Sequence, residues 1–213
     1  GQYIMGALIS GSIGLALYPL DSMVIFPLMI LGGIIGGILW AMIPAILKIR
    51  FNTNEILVSL MLVYVAEQIL ALASVGFLRN PEGLGFPGSR DLSKYPSAAN
   101  PELIANSGMH MGVIFSIIAV IVLTYFLIYH RLGFQIKLLG QAPKASKFSG
   151  VNSNYIIIFC LGLSGGLAGV AGMFELTGPA GLINIDFNVG YGFTAIIVAF
   201  LGRLHPIGIL FAG

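Results

Sequence analysis

HRLGFQIKLLGQAPKASKFSGVNSN, residues His130 to Asn154, decides how the rest of the chain is read. It carries Arg131, Lys137, Lys144 and Lys147 and no carboxylate, and it separates two apolar runs, Met111 to Tyr129 and Tyr155 to Met173. Each run can span a bilayer, because about 20 helical residues at about 1.5 Å rise cover a hydrocarbon core of about 30 Å. An excess of Lys and Arg in a short loop marks the cytoplasmic side. Residues 130–154 are therefore expected on the cytoplasmic face, and that assignment orients every other loop.

Composition leads to the same class. The 213 residues are 57% hydrophobic and 8% charged, whereas a soluble domain carries about 25% charged residues. The expected fold is all-α: one polytopic membrane domain over residues 1–213, with about six spans, the last interrupted or truncated. A net charge of +2 is too small to point to nucleic acid, and the cations fall in loops between spans. Cys160, the one cysteine, lies in an apolar run, so neither a disulfide framework nor a metal cluster is expected. Gly1 opens directly into an apolar run, and the sequence stops inside another, IGILFAG, so it reads as a piece of a longer protein, incomplete at both ends.

Taken in order, Tyr3 to Leu17 is a first apolar run with Gly6, Ser10 and Gly14 every fourth residue, and a short turn with Pro19 and Asp21 ends it. Met23 to Leu47 holds two overlapping pairs, Gly32 with Gly36 and Gly33 with Gly37. With no Lys after them and apolar flanks, they read as helix packing in lipid rather than as a phosphate-cradling loop. Lys48 and Arg50 put the next turn on the cytoplasmic side. Thr53 or Asn54 can cap a third helix that runs to about Leu78. Glu67 lies in that helix, roughly 18 Å beyond Glu55 at about 1.5 Å per residue, well inside the hydrocarbon slab.

A carboxylate at that depth is expensive and marks a functional site by default. Tyr64, Glu67 and Gln68 are therefore candidates for lining a solute pathway. Two other readings of Glu67 stay open, a structural hydrogen bond to a neighbouring helix and a place near the outer interface. Residues 79–108 form a long loop with balanced charge, expected outside, because seven of the ten basic residues fall on the proposed inner side. It is either a docking surface or a solvated connector. The fifth run contains GLSGGLAGVAG, the densest small-residue patch, expected as a buried central helix. The last apolar stretch, about Phe193 to Leu201, is broken by GRLHP. That break is either a tight helix pair or a discontinuous helix of the kind transporters use.

Four strings carry a resemblance: TNEILVSLMLVYVA (Thr53 to Ala66), GFQIKLLGQAPKASKFSGVN (Gly133 to Asn152), SGGLAGVAG, and GYGFTAIIVAFLGRLHPIGI (Gly190 to Ile209). In order and over nearly the whole chain, they resemble the membrane permease subunits of ATP-binding cassette importers, in the branch that takes up nucleosides and simple sugars. The resemblance implies a prokaryotic inner-membrane location. It also implies three partners: an ATPase subunit, an extracytoplasmic solute-binding protein and a second permease subunit, like or unlike. In that family the basic loop docks into the ATPase, and its pattern falls here on Gly140, Pro143, Ala145, Ser146, Gly150 and Val151. Lys137, Ala142 and Ser146 depart from the usual arginine, asparagine and alanine, and Val63 stands where an intramembrane asparagine is common.

No G-x-x-x-x-G-K-[ST] loop occurs in the sequence, so ATP hydrolysis is expected in a partner, and the chain itself is expected to be neither an enzyme nor a cofactor carrier. Two rival classes remain. A proton-coupled secondary transporter could relay protons through Glu67. A rhomboid-type intramembrane protease could use Ser164 of GLSG with His205. That rival is disfavoured, because Ser164 falls in a packing patch and His205 stands beside Arg203 and Pro206 at an interface.

Overall fold

The computed structural model describes residues 1–18, 20, 22–83, 86–104 and 107–213; Pro19 and Asp21 of the first turn, and the side chain of Lys147, lie outside the described residues. Nine α-helices are described: α1 (Gln2–Ala16), α2 (Ile25–Phe51), α3 (Glu55–Val75), α4 (Met111–Tyr129), α5 (Arg131–Gln141), α6 (Pro143–Phe148), α7 (Ser153–Thr177), α8 (Tyr191–Leu201) and α9 (Pro206–Ala212). Short 3-10 turns stand at Leu92–Lys94 and Ile185–Phe187. Among the described residues there is no strand, only an isolated antiparallel bridge between Gly88 and Asn184.

The chain is an all-α, multi-pass membrane protein. Its helices α2, α3, α4 and α7 are long and apolar enough to cross a bilayer, and the bent α8–α9 pair makes a fifth if it counts as one span. That is fewer than the expected six. The remaining apolar helix is α1, 15 residues from Gln2.

Contacts divide the chain into two units, Gly1–Gly112 with Leu161–Val189, and Val113–Cys160 with Gly190–Gly213. The first unit is built on glycine. Gly32 and Gly36 of α2 face Ser10, Ile13, Met5 and Ile9 of α1, while Gly33 and Gly37, one position on, face Gly169 and Gly165 of α7. The two overlapping pairs thus serve two neighbours on adjacent faces of one helix. Gly6 of α1 in turn meets Gly169, and Gly172 meets the Tyr3 carbonyl. Lipid supplies no hydrophobic force between helices, so close backbone approach and dispersion hold this centre together.

α2 ends where Asn52 turns left-handed at φ 49°, a conformation Asn tolerates. Asn54, not Thr53, then caps α3, its Oδ1 accepting from Ile56 N at 3.0 Å. Lys48 pairs with Glu55 at 2.9 Å across this turn. α3 stops at Val75, short of the expected Leu78.

Residues 79–108, read as docking surface or loose connector, are moored to the segment after α7. Ser89 N donates to the Ile183 carbonyl, Leu92 N to that of Gly181 and Asn100 N to that of Thr177. Leu92, Tyr95 and Ala98 are buried, and the Tyr95 hydroxyl donates to the carbonyls of Leu17 and Leu20.

In the second unit α4 has no buried residue. α8 and α9 bend by 119° around Gly202–His205, where Arg203 and Leu204 both adopt left-handed φ. Both readings of the GRLHP break, a tight helix pair and a discontinuous span, are compatible with that bend.

Candidate functional site

Two constellations carry chemistry. The first surrounds Glu67, on the part of α3 that packs within the first unit. Its carboxylate is half-buried, and Oε1 accepts a hydrogen bond from Asn188 Nδ2 at 2.6 Å. An ionised carboxylate can only accept, so it needs a donor, and bonds to charged groups are shorter and stronger than neutral ones. The donor is supplied from 121 residues away, not by Tyr64 or Gln68 on Glu67's own helix. Tyr64 is 63% exposed and Gln68 is exposed, so these two share an outward face of α3 while Glu67 turns toward Asn188.

Asn188 is positioned by the irregular segment between α7 and α8. Phe187 beside it is buried and stacks on Tyr3 at 5.5 Å between ring centroids. The 3-10 turn at Ile185–Phe187 leads into Asn188, whose amide meets Glu67 near the middle of α3. Asn184, Asp186 and Asn188 stand close together in the sequence, but nothing local marks Asn188 as the partner.

The second constellation is the basic stretch 130–154, which folds as α5 and α6. His130 Nδ1 accepts from Leu132 N at 3.2 Å and so caps α5. Pro143 opens α6 at a position where its missing N–H costs nothing. Gly140 and Ala145 are exposed, and a Cβ added at Gly140 would meet nothing within 4 Å. Ser146 is buried, its hydroxyl donating to the Pro143 carbonyl at 2.8 Å.

Gly150 sits at φ +72°, and Val151 N donates to the Ser146 carbonyl at 3.1 Å. These two features are a Schellman helix end, which glycine adopts without the Cβ penalty. Asn152 then caps α7, its Oδ1 accepting from Asn154 N at 3.1 Å. Two of the six residues in the docking pattern expected from sequence are therefore capping chemistry: Gly150 and Val151, with Asn152 after them, shape the ends of helices, whereas Gly140, Pro143 and Ala145 present an open, small-residue surface.

A multi-pass helical membrane protein with a carboxylate-free basic segment between spans is the class these features define. The family described as branched-chain amino acid transport system / permease component matches residues 1–213. The chain belongs to that family. A glucose ABC transporter permease protein of Haloferax volcanii is 30% identical over the whole of this chain and 58% of its own length. A nucleoside ABC transporter permease protein of Lactococcus lactis subsp. cremoris is 28% identical over the whole chain and 60% of its length. A guanosine ABC transporter permease protein of Bacillus subtilis is 26% identical over 87% of this chain and 53% of its own. The chain thus spans little more than half the length of these relatives. No solved structure matched it.

Proposed function

We propose that this chain is part of the permease subunit of an ATP-binding cassette importer in a prokaryotic cell membrane, forming the path for a nucleoside or simple sugar. The observation that carries this is the match of the whole chain to a permease family, together with relatives named for glucose, nucleoside and guanosine transport. In this reading a separate ATPase subunit hydrolyses ATP and docks on residues 130–154, an extracytoplasmic receptor delivers the solute, and a second permease subunit completes the path. Gly140, Pro143, Ala145 and Ser146 form the docking helix with its flank, and Gly150 and Val151 terminate it. The energy arrives as a conformational change, because ATP is bound elsewhere.

The full-length protein, co-reconstituted with the ATPase and receptor encoded beside it, should accumulate radiolabelled guanosine or glucose only when ATP is supplied. Accumulation driven by a pH gradient without ATP would overturn the proposal.

Tyr64, Glu67 and Gln68 are assigned to the solute path, with Asn188 holding the Glu67 carboxylate. Glu67→Gln keeps shape and can still hydrogen-bond Asn188, so ATP-driven uptake should persist within a few fold of wild type and ignore a protonophore. Glu67→Leu leaves the part-buried Asn188 amide without its acceptor and removes a polar group from the path, and uptake should fall sharply. Should Glu67→Gln abolish uptake while Glu67→Leu and a protonophore act alike, a proton-coupled carrier is the better description. Normal uptake in Glu67→Leu would remove Glu67 from the path.

Orientation is tested separately. Single cysteines at Lys94 and Lys144, both exposed, in a Cys160→Ala background should label from opposite sides of the membrane, position 94 with an impermeant maleimide added outside. Labelling of both from one side would reverse the docking assignment.

A further inference from the structure

We propose that the groove where α4 ends and α5 begins binds the headgroup of an anionic phospholipid, with the Arg131 guanidinium on its phosphate. All eight carboxylates of the chain lie in the first contact unit; the second, Val113–Cys160 with Gly190–Gly213, holds Arg131, Lys137, Lys144, Lys147 and Arg203 and not one Asp or Glu. Among the described residues Arg131 has no carboxylate partner, so its charge is free for an external anion.

The groove encloses about 540 Å³ and is lined by Tyr129, His130, Arg131, Phe134, Gln135 and Ser149, among others. That volume falls in the range of small-molecule sites. Arg131 and Gln135 offer N–H donors to a phosphate, and Arg is the side chain best matched to its oxygens; the Ser149 hydroxyl already donates to the Ala145 carbonyl at 3.1 Å. Tyr129 and Phe134 are 73% and 65% exposed and bring aromatic rings to the same place. Such rings belong at the membrane–water boundary.

The occupant is identified by what continues from the groove. Ile121, Tyr125 and Ile128 form an exposed apolar stripe along α4 that runs into it, with spacings of four and three residues that put them on one face. Tyr125 and Tyr129 lie ring to ring at 4.9 Å where stripe and groove meet. A cationic cup joined to an apolar stripe on a membrane span matches a molecule with an anionic head and acyl tails. A free anion has no use for the stripe, and a soluble protein cannot reach it inside the bilayer. The headgroup would also touch Ser149 and Val151 at the end of α6, but lipid binding here stands independently of any docking role for that helix.

The full-length permease, purified in detergent and titrated with phosphatidylglycerol or phosphatidylcholine of the same acyl chains, is examined by native mass spectrometry. Wild type should retain one more phosphatidylglycerol than phosphatidylcholine. Arg131→Gln should weaken that preference about tenfold, as expected for the loss of a charge-assisted hydrogen bond, and Lys144→Gln, outside the groove, should not. Ser149→Asp, which puts a carboxylate in the groove, should abolish the preference and replaces Arg131→Gln should the latter fail to fold.

Three results overturn the proposal: equal retention of both lipids by wild type, an undiminished preference in Arg131→Gln and Ser149→Asp, or displacement of phosphatidylglycerol by inorganic phosphate at equal concentration, which would mark a free-anion site.

Discussion

Ala145→Glu and Gly140→Trp are each expected to bring ATP-dependent uptake to background while the permease still inserts and stays monodisperse. Neither change attacks the fold. Ala145 is exposed in the first turn of α6, where an acidic side chain suits the helix dipole. Gly140 lies in the last turn of α5 with open space around its Cβ, so a larger side chain there meets no steric clash within the chain. Any loss must therefore arise at the partner. A carboxylate left buried and unpaired in an interface costs about 2–5 kcal/mol, roughly 30-fold in docking affinity at the low end. Gly150→Trp looks equivalent but is a poor test, because it would break the left-handed helix end that Gly150 makes at φ +72°. Uptake, and stimulation of ATP hydrolysis by the permease, are measured together. If both stay normal in both variants, residues 140–145 do not couple the two subunits.

The sequence carried the class and the four long spans because both rest on a local signal, runs of apolar residues. It also carried the fact of close packing through Gly33 and Gly37, although not that these face α7 while Gly32 and Gly36 face α1, since spacing names a face without naming the neighbour. The break at GRLHP was legible from Gly202 and Pro206. Its 119° bend was not, because Arg203 and Leu204 take left-handed φ that their residue types disfavour, so tertiary context must impose it.

Glu67 stood out by its depth. Asn188 did not, because a hydrogen bond between residues 121 apart leaves no periodic trace. The mooring of residues 79–108 was hidden for the same reason: it is made by backbone amides and carbonyls, which every residue carries. In the basic stretch a single pattern turned out to mix two jobs, capping by Gly150 and Asn152 and an open surface at Gly140 and Ala145.

Gly165→Ala and Gly162→Ala, three residues apart on α7, should differ far more than their identical chemistry implies. At Gly165 a new Cβ would meet the Ala41 Cβ and the Gly37 carbonyl, both fixed to the backbone of α2, which cannot rotate aside. The helices must separate, and the neighbouring Gly33–Gly169 approach opens with them. Overpacking of this kind costs about 1–3 kcal/mol and sometimes more, a large share of the roughly 5–15 kcal/mol that holds a domain folded. In lipid no hydrophobic force compensates for the lost dispersion contacts.

At Gly162 the same methyl meets only the Met42 terminal methyl, at 3.2 Å, and Met is flexible enough to move. Thermal aggregation of the detergent-purified full-length protein, followed by size-exclusion chromatography, should show Gly165→Ala unfolding well below wild type and Gly162→Ala close to it. Equal stability of the two variants would mean that α2 and α7 do not meet backbone to backbone at Gly37 and Gly165, and the glycine-built centre of the first unit would have to be abandoned.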